Sequence, residues 1–159
     1  MTRTLSAVLL LGCIALAACG SSGPVRRVSE PAASIQQLTV RADGSWSVDL
    51  RINNYSTVPM RFDAVTLAVT LGGESAGTLQ GSPGVTVGPE SADVATLSMA
   101  PSGGARVRIA DALASKRSID YVLQGTLSAA ATDGGGARSY DIDRSSALSP
   151  VPGLPGVLR

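Results

Sequence analysis

Residues Trp46 to Asn53 alternate without a break: Trp46, Val48, Leu50 and Ile52 hold one parity, and Ser47, Asp49, Arg51 and Asn53 hold the other. Strand side chains point to opposite faces in turn, so this pattern demands a sheet with one face buried and one face wet. Leu38 and Val40 alternate with polar neighbours just before it, and Asp43-Gly44 supplies the hairpin turn between the two runs. Asn53-Asn54-Tyr55-Ser56 then ends the pattern with turn-forming side chains.

The next run changes phase. Met60 and Phe62 share one parity, whereas Val65, Leu67, Val69 and Leu71 share the other. A strand cannot move its apolar set to the same face without an extra residue, so a β-bulge is expected near Asp63-Ala64. Gly72-Gly73 turns the chain into a strand around Ala76 to Gln80. Gly and Pro residues then bound Val85-Thr86-Val87, and another strand runs from about Ala92 to Met99. Ile109, Ala110, Leu113 and Ala114 fall at helical spacing, which predicts one short helix over Val107 to Ser115. Ile119, Tyr121, Leu123, Gly125 and Leu127 alternate again, Gly134-Gly135-Gly136 marks a hairpin loop, and Tyr140 and Ile142 fit a final strand. About seven strands and one helix predict an all-β chain folded as a β-sandwich. The segment Ser149 to Arg159, with Pro150, Pro152 and Pro155, cannot join a central strand.

Arg3 followed by the apolar stretch Leu5 to Ala18 has the form of a signal peptide, and the stretch is too short to span a bilayer. Its last residues and the one after, Leu16-Ala17-Ala18-Cys19, resemble the lipobox of bacterial lipoproteins. An ordinary signal would want a small residue where Leu16 stands. The resemblance implies cleavage before Cys19, a diacylated Cys19 thiol and an acylated new amine. Each buried CH₂ contributes about 0.8 kcal/mol, so three chains hold a protein almost irreversibly. Gly20 and Ser21 follow Cys19, with no aspartate to act as an inner-membrane retention signal. Similarity to sorted lipoproteins then implies an outer-membrane location facing the periplasm, with the membrane as partner through the lipid. The expected organisation is a signal peptide over 1–18, a lipidated cysteine and flexible tether over 19–34, a sandwich over 35–146 and a Pro-rich tail over 147–159. In that scheme Arg26-Arg27, the only basic doublet near the anchor, could touch anionic headgroups, but two charges are a weak signal and a solvated linker is the expectation.

Cleavage before Cys19 leaves 141 of the 159 residues, enough for one domain with a real core. Arg3 is the surplus charge among 13 Lys and Arg against 12 Asp and Glu, so its loss leaves a balanced chain. That argues against a nucleic-acid partner, which needs clustered positive charge. With Cys13 removed and Cys19 acylated, no disulfide can form. The chain has no histidine, and so lacks both the commonest general base and the commonest transition-metal ligand.

Gly73-Glu74-Ser75-Ala76-Gly77 matches the G-x-S-x-G elbow, but the elbow works only between a strand and a helix with a base nearby. A β-hairpin is expected there instead. Lys116, the sole lysine, is placed in a solvated loop. Asp141 and Asp143, with Asp120 or Asp133, could offer oxygen ligands to a hard cation, yet no calcium-loop spacing is present and a solvated outer face accounts for them. Trp46, Phe62 and Tyr121 fall on apolar parities and are expected in the core. No catalytic residue, cofactor or metal is expected.

Trp46 to Gln80 resembles the water-stress-and-hypersensitive-response domain, the folded group 2 branch of the late embryogenesis abundant proteins. The shared layout is an alternating strand, an Asn-containing turn, a Pro, an amphipathic strand, Gly-Gly and a strand opening with small residues. Gly88-Pro89-Glu90-Ser91, the helix at Ala110 to Ala114 and the run Tyr121 to Gly125 continue the same order. Where the family carries Asn-Pro-Asn, this chain has Asn53-Asn54-Tyr55. The resemblance implies an immunoglobulin- or fibronectin-III-like sandwich, association with desiccation or osmotic stress, and no catalytic site. The expected function is a non-enzymatic, stress-associated lipoprotein that binds or stabilises envelope components. The alternative is an architectural or assembly subunit of an envelope complex with an envelope-protein partner.

Overall fold

The computed structural model describes residues 25–159; the signal segment, Cys19 and the first part of the tether lie outside the described residues. The described chain forms β1 (Ala32–Val40), β2 (Trp46–Asn54), β3 (Met60–Leu71), β4 (Glu74–Gly81), β5 (Val85–Val87), β6 (Ser91–Met99), α1 (Gly103–Ser115), β7 (Ile119–Ala131), β8 (Arg138–Leu148) and β9 (Val157–Leu158). Seven strands are long, while β5 has three residues and β9 two. One antiparallel sheet has the order β6-β2-β1-β9. The other has the order β4-β3-β7-β8, with β5 also pairing with β3. The fold is therefore the all-β sandwich with one helix that the alternation predicts.

β2 lies between β1 and β6, and Trp46, Val48, Leu50 and Ile52 are almost wholly buried against the second sheet. Full burial of each such side chain contributes about 1.5–3 kcal/mol. β3 changes phase where the sequence requires it. Phe62 pairs with Ala129 and Ala64 with Ser128, leaving Asp63 as the extra residue. Asp63 and Ala64 both face solvent, and the buried set switches from Met60 and Phe62 to Val65, Leu67, Val69 and Leu71. Gly72 and Gly73 form the two-residue turn to β4 with φ of 54° and 79°, the left-handed geometry a twisted hairpin needs.

The helix starts four residues earlier than its apolar spacing suggests. The Ser102 hydroxyl accepts the Ala105 N–H at 3.2 Å, and this cap draws Gly103 and Gly104 into the first turn. Ser102 is itself fixed to β4: its hydroxyl donates to the Ser75 carbonyl at 2.6 Å and its N–H to the Ala76 carbonyl at 2.9 Å. Ala105, Ile109 and Ala112 then bury one face of α1.

Both expected boundaries of the sandwich move outward. β1 begins at Ala32, inside the expected tether. The Pro-rich segment is not a separate tail, since Leu158 pairs with Leu38, Val157 pairs with Thr39, and Leu158 is fully buried. Pro152 and Pro155 lie in the turn before β9, and Pro150 pairs with Leu158 in an isolated bridge on the outer side of β9, so no proline enters a central ladder.

β1 carries a second irregularity. Ile35 pairs with Leu50 and Gln37 with Asp49, so Gln36 is extra. The Ile35 N–H instead donates to the Tyr121 hydroxyl across the sandwich at 3.1 Å. Tyr121→Phe removes that acceptor from a buried amide, and the variant is expected to lose about 1–3 kcal/mol of unfolding free energy in urea titration. An unchanged midpoint would show that the hydroxyl is dispensable.

Candidate functional site

The polar chemistry of the described chain concentrates at one end of the sandwich, where β2 leaves the first sheet for β3. Asn54 occupies the next inward position after Trp46, Val48, Leu50 and Ile52, and it is 1% exposed. Its amide nitrogen donates to the carbonyls of Val58 at 2.9 Å, Val87 at 3.2 Å and Gly88 at 2.9 Å. Its carbonyl oxygen accepts the Ser56 N–H at 2.9 Å. One side chain thus ties the β2–β3 turn to the end of β5. Ser56 is also buried, and its hydroxyl accepts the Ser29 N–H at 3.0 Å.

Ser29 belongs to a strap, residues 25–29, that crosses this end. The Arg27 N–H donates to the Thr57 hydroxyl, the Thr57 N–H to the Arg27 carbonyl, and the Thr57 hydroxyl to the Val25 carbonyl. The Arg27 guanidinium donates to Glu90 at 3.1 Å and to the Tyr55 carbonyl at 3.2 Å. The Arg26 guanidinium grips Asp133 with two bonds of 3.0 and 3.1 Å and also reaches the Gly134 carbonyl. The hydrogen bond from Arg26, reinforced by its charge, holds the Asp133 carboxyl below the usual carboxylate range. Both pairs are exposed, so each contributes little stability alone. Their effect is to fix position. Arg26 and Arg27 are therefore not a solvated linker: they join the β2–β3, β5–β6 and β7–β8 loops. A cleft of about 240 Å³ lies beside the strap, lined by Arg26, Met60, Arg138, Tyr140 and the Gly134–Gly136 loop.

The other residues with chemical potential do not converge. Ser75 is exposed on β4 after the Gly72-Gly73 hairpin, so the G-x-S-x-G match lacks the strand–helix elbow. Lys116 is the left-handed cap that closes α1, at the opposite end from the strap. Asp141 and Asp143 face solvent on β8, Asp120 is exposed on β7, and Asp133 is taken by Arg26. No cluster of three or more His, Cys, Asp or Glu able to hold a metal ion occurs among the described residues. Trp46, Phe62 and Tyr121 are buried in the core. A groove of about 880 Å³ separates α1 from the segment before β9, with Ala110, Leu113, Val151 and Leu154 on its walls and Lys116 beside it.

Parity was the available signal for Asn54, because it continues the inward row of β2. Nothing in the sequence pairs Arg26 with Asp133, which stands 107 positions away.

A β-sandwich with buried polar residues at its first crossover and one capped helix defines the class. The chain belongs to the late embryogenesis abundant protein family, whose sequence profile matches residues 49–146. A crystal structure of a protein from Archaeoglobus fulgidus is similar over 79% of this chain and 98% of its own, with 14% identity and a TM-score of 0.42. A solution structure of an Arabidopsis thaliana protein is similar over 80% of this chain and 83% of its own, with 13% identity and a TM-score of 0.49. Comparison with curated proteins finds no match.

Proposed function

We propose that this chain is a non-catalytic, stress-associated lipoprotein, held by lipid on Cys19 at the outer membrane and facing the periplasm, where it binds or stabilises envelope components. Family membership supports the association with stress, and Leu16-Ala17-Ala18-Cys19 supports the anchor. The observation that carries the binding role is β8. This eleven-residue edge strand pairs with β7 on one side and with no strand among the described residues on the other. Most of it is exposed, so a row of backbone donors and acceptors is available to an incoming extended segment. Two other edges are partly covered, since β9 pairs with part of β1 and the Ser102 turn is bonded to the start of β4, and the remaining long edge strand, β6, is shorter than β8.

Cys19→Ala is expected to move the protein from the membrane pellet to the soluble fraction, or to leave it with an uncleaved signal segment. A deletion strain is expected to survive drying or osmotic shock poorly, with rescue by the parent gene and not by Cys19→Ala. Equal survival of the deletion strain and its parent would overturn the stress reading. A Cys19→Ala protein that has lost its signal segment yet still sediments with membranes would overturn the lipid anchor.

The groove between α1 and the segment before β9 favours a second reading, an assembly subunit that docks a protein partner there. Crosslinking in native membranes that yields one stoichiometric partner would support this second reading over the first.

A further inference from the structure

We infer that the strapped end of the sandwich rests on phospholipid headgroups, with Tyr55 and Val25 in the interfacial layer and the groove beside α1 turned away from the membrane. The inference rests on the proposed acylation of Cys19 and adds to it a fixed orientation and a second point of membrane contact.

Four large apolar side chains are exposed among the described residues, and they fall into two pairs. Val25, 75% exposed, and Tyr55, 52% exposed, stand together at the strapped end, where the Thr57 hydroxyl holds the Val25 carbonyl and Arg27 holds the Tyr55 carbonyl. Val107, 69% exposed, and Leu154, 48% exposed, stand at the far end, on α1 and beside the groove. Either pair could meet a lipid surface on apolarity alone.

Chain length decides between them. Six residue steps separate Cys19 from Val25, and a fully extended chain covers at most about 3.3–3.6 Å per step, or roughly 21 Å. The thirteen residues of β7 run from the far end at Ile119 to the strapped end at Ala131, a rise of about 40 Å at the usual strand spacing. Inverting the sandwich would lift Val25 about 40 Å from the bilayer, beyond the reach of its own anchor. The hydrogen bonds of the strap keep the tether at that length. They stop the tether from continuing to Ala32 and so hold the anchored side of the domain at its β2–β3, β5–β6 and β7–β8 loops. Tyr55 at the tip of the β2–β3 turn has the chemistry of an interfacial residue, an apolar ring with a wet hydroxyl.

The test uses full-length acylated protein in vesicles of phosphatidylethanolamine and phosphatidylglycerol, with and without brominated acyl chains. Single tryptophans are introduced as Tyr55→Trp and, at the far end, Leu154→Trp. Both positions are exposed, and the parent protein supplies the constant signal of buried Trp46. Brominated chains are expected to quench the Tyr55→Trp variant severalfold more than the Leu154→Trp variant, and aqueous iodide to do the reverse. Equal bromine quenching of the two variants, or none in either, overturns the orientation in a protein whose N-terminal mass shows the acyl groups. So does a Tyr55→Trp signal shielded from iodide yet untouched by bromine, which would mean a protein cover. A native N-terminus without acyl mass overturns the anchor and this inference together.

Discussion

Asn54→Asp is expected to cost about 3–5 kcal/mol of stability, because it leaves several buried groups without partners at once. The amide nitrogen of Asn54 serves three carbonyls, those of Val58, Val87 and Gly88. A carboxylate would set a second oxygen against all three. A protonated acid would offer one O–H where two N–H groups now donate. Domains of this size have total stabilities of roughly 5–15 kcal/mol, so the variant should unfold at a much lower urea concentration. Burial among carbonyls would raise the folded-state pKa of the new acid above its unfolded value of about 3.9. The destabilisation from ionisation is therefore fully present above the folded pKa and fades as pH falls toward 3.9. Asn54→Ala also leaves the carbonyls and the Ser56 N–H unpaired, but its deficit should not follow that pH course. A midpoint for Asn54→Asp within a few tenths molar of the parent would show that the junction tolerates the loss.

Gly125→Ala is the second large effect. Gly125 sits in β7 opposite Leu67 of β3 and Ile142 of β8, and a Cβ built on it would collide with the Thr66 carbonyl oxygen and press on the Leu67 backbone. The obstacle is main chain in a strand flanked on both sides, so no rotamer change relieves it. Alanine is expected to cost about 3 kcal/mol or to break the β3–β7 register locally, which would appear as accelerated amide exchange at Thr66 to Ala68. Gly73→Ala is the useful contrast. Its Cβ would meet nothing within 4 Å, so its cost comes from the positive φ alone.

The sequence is most informative where burial has a period. The inward row of β2 and the phase change at Asp63 follow from alternation, because one face of each strand packs on the opposite sheet. Two segments escape that logic. β9 is too short for a period and follows three prolines, so only its pairing with β1 reveals it as a strand. The strap is held by hydrogen bonds and ion pairs to residues far along the chain, and Val25 and Arg26 have no apolar pattern to announce such contacts. The start of α1 was hidden for a local reason: Gly103 and Gly104 are poor helix formers, and the Ser102 cap outweighs them. At the candidate site, Asn54 reads as a turn residue by type, yet it ends β2 and continues the inward row by parity. Its three acceptors were not legible, since Val87 and Gly88 come from a different loop.

The strap also decides where mechanical load enters. Any pull arriving from the N-terminal side meets Val25 to Ser29 first, before it meets the β1 ladder. The bonds from Thr57, Glu90, Asp133 and Ser56 would yield one after another, lengthening the leash while β1 keeps its place. Such a load would thus be absorbed by a short peelable segment, and the core would feel it only after that segment had run out.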